Sequence, residues 1–223
     1  MDALWTLSYL SDGPDIAQER VAAEVGLVEH IVSILSNPCS LEEIVPALRT
    51  AGNLMAGDDA TTQLVINANI LPALRPLLDH QSATVRKEAC WSLSNVLAGH
   101  AVQIRSCLDA GVMAPILHNY RNSPVEVQRE ASWCIANAFA GCSAQDLIME
   151  MMDVPGLVPT LPELLSEATA SSFIDLTISA YLRVLKQGEN IAVEAGSDIN
   201  PYIGLLMTPD AVRVIQQSAA MRG

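Results

Sequence analysis

Two stretches of this sequence carry the same chemistry 42 residues apart: KEACWSLSNVLAG over Lys87–Gly99 and REASWCIANAFAG over Arg129–Gly141. In each, a Trp stands four residues ahead of an Asn, pairing Trp91 with Asn95 and Trp133 with Asn137. A Glu stands three residues before each Trp, at Glu88 and Glu130. Side chains four apart on a helix share a face. An Asn amide offers one carbonyl acceptor and an NH2 donor, a match for the C=O and N–H of an extended peptide whatever its side chains. The face of a Trp takes the aliphatic stem of Lys or Arg and attracts its cation, worth ~0.5–2 kcal/mol depending on desolvation. The carboxylates supply the countercharge. Together these residues describe a surface for an extended, basic peptide. Taken singly, each Trp reads as core and each Asn as a satisfied packing residue. Asn, however, is a poor helix former that competes for backbone hydrogen bonds, so its return at a fixed interval points to a use.

The interval extends along the chain. PALRTAGNLMAG (Pro46–Gly57) lies 42 residues before the matching part of the first stretch, and DALWTLSYLSDG (Asp2–Gly13) lies 44 before that. In register, the first special position reads Trp5, Arg49, Trp91, Trp133, and the second reads Tyr9, Asn53, Asn95, Asn137. A glycine closes each copy, at 13, 57, 99 and 141. A weaker fifth copy, SAYLRVLKQGE, brings Gly188 into register but has Ser179 and Arg183 at the special positions. From Asn200 onward the pattern is too short and irregular to assign.

Each period reads as three helices. Ala101–Asp109 forms the first, followed by a turn at Ala110-Gly111, and Val112–Tyr120 forms the second, with apolar residues at Val112, Ile116, Leu117 and Tyr120. The link RNSP precedes a long third helix over Val125–Ala140, with Pro124 suited to a helix start and Gly141 to a left-handed C-terminal cap. The same plan predicts Thr61–Ala68, Ile70–Leu78 and Ala83–Ala98. Three helices in ~42 residues is the armadillo plan. Such units cannot bury their own apolar faces and stack into a right-handed superhelical solenoid. The expectation is an all-α single array over residues 1–223 with about four to five repeats, its third helices near 2–12, 46–56, 83–98, 125–140 and 172–187. Met1 falls at the start of a third helix, so the first repeat is expected to be truncated and its open end to pair with a preceding repeat or with another copy.

Composition narrows the function classes. Half of the 223 residues are hydrophobic, 17% are charged and only 4% aromatic, which suits closely packed helices and excludes wholesale disorder. Twelve basic against 25 acidic residues leave a formal charge of −13, which argues against nucleic acid, whose phosphates need clustered Lys and Arg, and favours basic partners. No apolar run reaches the ~18–20 residues that span a bilayer, so no membrane partner is expected, and the N-terminus lacks a signal-peptide pattern. Cys39, Cys90, Cys107, Cys134 and Cys142 form no CxxC or zinc spacing and read as small buried residues in a reducing compartment, cytosol or nucleus. His30, His80, His100 and His118 form no metal motif, and no nucleophile elbow, dinucleotide fingerprint or P-loop is present. No enzyme and no cofactor are expected.

These phrases carry a resemblance. DALWTLSYLSDGP, VPALRTAGNLMAGDD, KEACWSLSNVLAG and REASWCIANAFAG look like successive repeats from the second half of importin α, the nuclear-import adaptor, with the likeness covering about residues 1–195. The resemblance implies an inner groove that binds basic nuclear localisation signals, with a major site in early repeats and a minor site in later ones. This chain would hold the minor site. Its pockets would be built from Trp91, Asn95, Trp133 and Asn137, with Arg49 and Asn53 on the preceding repeat. Arg49 would interrupt the Trp ladder, Glu88 and Glu130 would contact basic side chains, and Thr62 with Ser94 would line the main lysine pocket beside Asn95. Asp58 and Asp59 add charge at the groove edge, and Trp5 with Tyr9 match the repeat between the two sites. Met55 stands where the family has a smaller aliphatic residue. The importin-β-binding segment and the major-site repeats have no counterpart, and the stretch after Gly188 departs from the family's later pattern. In a complete chain, importin β and the export receptor would be further partners, and the location would be cytoplasm and nucleus. The expected function is an import-adaptor-like binding of extended Lys/Arg-rich signal peptides. The alternative is a structural armadillo scaffold that self-associates or binds another protein.

Overall fold

The computed structural model describes residues 2–37 and 40–220. Cys39 and Met1 therefore lie outside the described residues. Of the fifteen α-helices among the described residues, α1 to α13 follow the repeat plan. A third-type helix, α1 (Asp2–Ser11), is followed by α2 (Asp15–Ala22), α3 (Leu27–Ser36) and α4 (Leu41–Met55). Then come α5 (Asp59–Asn67), α6 (Ile70–Leu74), α7 (Ala83–Leu97), α8 (Ala101–Asp109), α9 (Met113–Asn122) and α10 (Val125–Gly141). The last group is α11 (Gln145–Met152), α12 (Leu157–Glu167), α13 (Ser171–Glu194), α14 (Ile203–Leu206) and α15 (Pro209–Ala220). The fold is an all-α armadillo solenoid with four complete three-helix repeats among the described residues. The contacts divide it into two compact units, Met1–Cys134 and Ile135–Gly223.

In the first unit, like packs on like: α2 against α5 and α5 against α8, α3 against α6, and α1, α4 and α7 in succession. The third helices form its apolar spine. Leu48, Ala51 and Leu54 on α4, and Leu93, Val96 and Leu97 on α7, are all at most 1% exposed. In the second unit, α12 and α13 pack together, and α14 and α15 close against them in the stretch that sequence reading left unassigned.

Several local expectations shift. The α4 helix begins at Leu41, five residues before the expected start at Pro46, so this proline sits inside the helix. Ser40 precedes it, and Glu42 and Glu43 in its first turn complement the helix dipole. Between Pro72 and Pro76, α6 tightens after Leu74 into a 3₁₀ turn, Arg75–Asp79, because Pro76 has no N–H to continue the α-helical ladder. The α13 helix runs to Glu194, past Gly188. A Cβ on Gly188 would meet Asn200 Oδ1 at 2.2 Å, so this glycine serves a close approach and not a helix end.

The closing glycines do not adopt the left-handed conformation expected of Gly141. Four of the five left-handed residues among those described lie instead at the turn between first and second helices, at Gly26, Asn69, Gly111 and Gly156, and the fifth, Gly196, follows the end of α13. Asn is the non-glycine residue that tolerates this region best, so Asn69 replaces glycine at the same register position. The closing glycines leave room for a neighbour: a Cβ on Gly57 would meet Gln18 Oε1 at 2.7 Å, and one on Gly99 would meet Gln103 Oε1 at 1.7 Å.

One more glycine sets the spacing of the spine. Gly52 on α4 lies against the Trp91 ring, and a Cβ there would approach Trp91 Cζ3 to 2.2 Å and Ser92 Oγ to 2.7 Å. Gly52→Ala should destabilise the protein by about 1–2 kcal/mol, because the cost of overpacking against a rigid ring exceeds the ~1 kcal/mol that Ala gains in a helix interior. Urea unfolding followed by Trp fluorescence would read this; a variant as stable as the parent would show that Trp91 is free to move away.

Candidate functional site: a peptide-binding surface on the third helices

The Asn ladder does structural work before it can do anything else. Asn95 Nδ2 donates to the Gly52 carbonyl at 3.0 Å, and Asn53 Nδ2 donates to the Ser8 carbonyl at 2.9 Å and to Ser11 Oγ at 3.0 Å. Each amide thus reaches back to the previous third helix. A second rung runs parallel: Ser92 Oγ donates to the Leu48 carbonyl at 3.3 Å, and Cys134 Sγ to the Cys90 carbonyl at 3.0 Å. The two Asn differ in what they have left. Asn53 is buried and has both of its N–H groups engaged, whereas Asn95 is half-buried with one engaged. The Oδ1 and second N–H of Asn95 are available to a ligand.

Asn95 also lines a pocket of about 230 Å³ with Met55, Ala56, Gly57, Asp59, Thr62, Ala98, Gly99 and Gln103. The C-terminal ends of α4 and α7 meet here, and helix C-termini carry partial negative charge on carbonyls that lack intrahelical partners. Asp59 adds a full charge from the first position of α5, exposed and stabilised by that helix's own N-terminal dipole. Asp58, by contrast, is the cap of α5. Its side chain accepts from the Thr61 N–H at 2.7 Å, and the hydrogen bonds from Thr61 hold its carboxyl below the usual range. Thr62 is buried, its Oγ1 donating to the Met55 carbonyl at 3.1 Å, with the hydroxyl oxygen left to accept. Met55 does line the pocket, 1% exposed. Such a site suits an ammonium group that can donate three hydrogen bonds.

A second cluster lies on the same helices. Arg49 Nη2 reaches Glu88 Oε1 at 2.7 Å, Lys87 Nζ reaches the same oxygen at 3.0 Å, and Arg49 Cζ stands 5.2 Å from the Trp91 ring centroid. Glu88 is buried at 2% exposure, which two cations make tolerable. Glu130 is half-buried. Burial pushes its carboxyl up from 4.5, while Lys87 pulls it down, Glu88 pushes it up, and Arg129 and Arg49 pull it down.

The remaining expected residues sit apart from the pocket. Ser94 donates from Oγ to the Trp91 carbonyl at 2.7 Å and is absent from the pocket lining. Trp133 and Asn137 are half-buried one turn apart on α10. Trp5 and Tyr9 form a tilted pair on α1 with centroids 6.1 Å apart, Tyr9 being 72% exposed. Sequence reading missed Gln103, whose Nε2 donates to the Asp59 carbonyl at 3.2 Å and ties α8 to the pocket rim. Nothing in its spacing marks it. The pocket-lining role of Gly57 and Gly99 was legible only as a repeat register. The four described cysteines are all buried, with burial raising the Cys107 thiol to about 12 and Cys134 upward as well, so they are packing residues.

Comparison with known proteins follows this geometry. Residues 58–98, the α5–α7 repeat, match the armadillo/beta-catenin-like repeat. Importin subunit alpha-1a of Oryza sativa subsp. japonica is 45% identical over 96 residues, which is 43% of this chain and 18% of that protein. Importin subunit alpha-2 of Caenorhabditis elegans is 42% identical over 94 residues, 42% of this chain and 17% of that protein. The matched stretch thus spans less than a fifth of these relatives. Among solved structures, a designed armadillo repeat protein in complex with the peptide (KR)4 superposes with a TM-score of 0.77 at 26% identity, covering 98% of this chain and 91% of that one. Computationally designed armadillo repeat proteins for modular peptide recognition superpose with a TM-score of 0.75 at 25% identity, covering 98% and 91%.

The raised carboxyl of Glu130 has a signed consequence for stability. Its folded pKa lies above its unfolded value, so the folded state binds this proton more tightly and the residue costs stability once pH exceeds the folded pKa. Glu130→Gln should therefore unfold at higher denaturant than the parent at pH 7, with the gap closing as pH falls below about 4.5. Parallel unfolding curves at pH 7 and 4 would check this; a gap unchanged with pH would show that the carboxyl is not strained.

Proposed function

We propose that this chain, which is similar to importin α subunits over about two fifths of its length, binds extended, Lys/Arg-rich peptides along its third helices, in the manner of a nuclear-import adaptor. The observation that carries the reading is the pocket at the ends of α4 and α7, where Asn95, Thr62 and Asp59 converge. A lysine ammonium enters that pocket and meets the Asp59 carboxylate, the Thr62 hydroxyl and the negative ends of two helices. Asn95, held in place by the Gly52 carbonyl, pairs through its Oδ1 and second N–H with the peptide backbone beside that lysine. Trp91 and Trp133 stack on the aliphatic stems of flanking basic residues, Glu130 faces their charge, and Asn137 shares the register of Asn95 in the sequence. The fit is one of pitch as well as chemistry, since third helices ~8–10 Å apart match about three residues of extended chain.

The designed neighbour that holds (KR)4 supports this reading, because it shows that the same fold takes a peptide of alternating lysine and arginine. The importin subunits support the more specific one, in which the peptide is a nuclear localisation signal and the protein works between cytoplasm and nucleus. It is a binding module and not an enzyme. A formal charge of −13 favours basic protein segments over nucleic acid, and among the described residues no helix is long and apolar enough to cross a membrane. A second reading, association through the α1–α2 face, is favoured by the exposure of Tyr9, Leu10 and Ile16, at 72%, 56% and 55%. A stable dimer in light scattering, lost on changing Tyr9 and Ile16 to Ser, would support it.

Titration of a fluorescent Lys/Arg-rich peptide, beside its Lys→Ala counterpart, tests the main reading. Binding should need the lysines and weaken as salt rises from 0.05 to 0.3 M, because exposed charges are screened over about 10 Å near 0.1 M. Asp59→Asn, at an exposed site, should lose several-fold in affinity while costing no more than the ~0.3–1 kcal/mol that a first-turn carboxylate gives its helix. Asn95→Ala with Asn137→Ala should lose tenfold or more, as expected for two backbone-directed amides at about 1 kcal/mol each. Equal affinity of the Lys→Ala peptide would sink the proposal.

A further inference from the structure

Arg49 stands at the register position where the other repeats carry Trp5, Trp91 and Trp133. Its side chain leaves α4 and crosses to α7, placing its guanidinium over the Trp91 ring and against Glu88, 39 residues along the chain. A ligand's Arg or Lys would look for those same two groups. We infer that Arg49 is a specificity-determining residue: a cation supplied by the chain itself that fills the Trp91–Glu88 place and competes with a ligand cation for it. This rests on the basic-peptide reading of the groove.

Three observations carry the argument. First, Glu88 is oversubscribed. Arg49 and Lys87 both bond its Oε1, at 2.7 and 3.0 Å, so two cations face one carboxylate and the local sum is positive. Glu88 is 2% exposed, so a ligand cation reaches its occupied oxygen only by displacing one of the two. Second, Arg49 is the partner able to leave. Its side chain is 44% exposed, so its guanidinium can be rehydrated when it swings away. Third, the stacked arrangement uses the planarity of guanidinium, which Lys cannot reproduce. The groove is therefore uneven in charge. The Asp59–Thr62–Asn95 pocket and Glu130 welcome cations, whereas the face that Arg49 holds carries one positive charge in excess. A peptide binds best when its basic residues fall on the first two and a neutral residue falls opposite Arg49.

The test compares a (KR)4 peptide on the parent protein and on Arg49→Gln, Arg49→Lys and Arg49→Gln with Glu88→Gln, at low salt, by change in Trp fluorescence. Arg20→Gln, which removes the same charge from the exposed face of α2, is the control for net charge. Arg49→Gln should bind about three- to tenfold more tightly, as expected when a like charge is removed from within a few ångströms. Arg49→Lys should fall between it and the parent, the double variant should lose the gain, and Arg20→Gln should change affinity less than twofold. Unfolding midpoints of all variants establish that each is folded. Unchanged or weaker binding by folded Arg49→Gln, with the parent binding normally, would overturn the inference and make Arg49 a plain structural ion-pair partner. A gain equal to that of Arg20→Gln would overturn it as well, since only net charge would then be at work. Failure of parent and Arg49→Gln alike to bind would bring down the basic-peptide reading itself, and this inference with it. Binding by Arg49→Gln alone would support it in its strongest form, full self-occupancy.

Discussion

The contact on which this structure depends is the seating of one third helix on the next. At α4 and α7 it consists of a Trp ring laid on a glycine, Trp91 on Gly52, and an Asn amide bonded to that glycine's carbonyl. The ring could not lie as it does with a larger residue at position 52, because the Cβ would occupy its place. The contact fixes the separation of the helices, and with it the pitch at which successive Asn amides are presented. It also fixes the amide's orientation: a side chain with four hydrogen-bonding capacities that spends one on its own scaffold presents the others in known directions. A binding group held this way loses little freedom when a ligand arrives.

The same economy governs charge. Burying Glu88 requires compensation, and Arg49 and Lys87 supply it from opposite helices, so that the ion cluster also ties α4 to α7. Glu130 is less well matched and carries its charge at a cost to stability. Asp59 is placed differently, at a helix N-terminus that favours its charge and beside two helix C-termini that add to the field.

The glycines show how far a repeat register can be read and where it misleads. Their recurrence at 13, 57, 99 and 141 marked the end of each third helix correctly, but the reason is not backbone handedness. Two of them are small because a side chain from the following or preceding first helix, Gln103 at Gly99 and Gln18 at Gly57, packs where a Cβ would be. Gly188 is explained the same way by Asn200, and the helix simply passes through it. Left-handed backbone falls mostly at a different turn, where Asn69 can stand in for glycine, with Gly196 after α13 the exception.

By itself the sequence determined the repeat length, the helix count per repeat, the third-helix spine and the Trp/Asn face, because helix periodicity and a 42-residue self-similarity are local and recurrent properties. Register placed Asn95 on the third-helix face, Asp59 stood just after the closing glycine, and Thr62 was named only through the family resemblance; the three line one pocket. Only the tertiary structure decided how each of these residues divides its bonding between scaffold and solvent. Asn53 and Asn95 occupy identical register positions, yet one has both N–H groups bonded to the preceding helix and the other retains one. Glu88 and Glu130 are likewise equivalent in sequence, yet one is saturated by cations and the other is not. The difference arises from the neighbour, Arg49 and Ser11 in particular, and a neighbour one repeat away is a matter of distance in space, which no pattern along the chain contains.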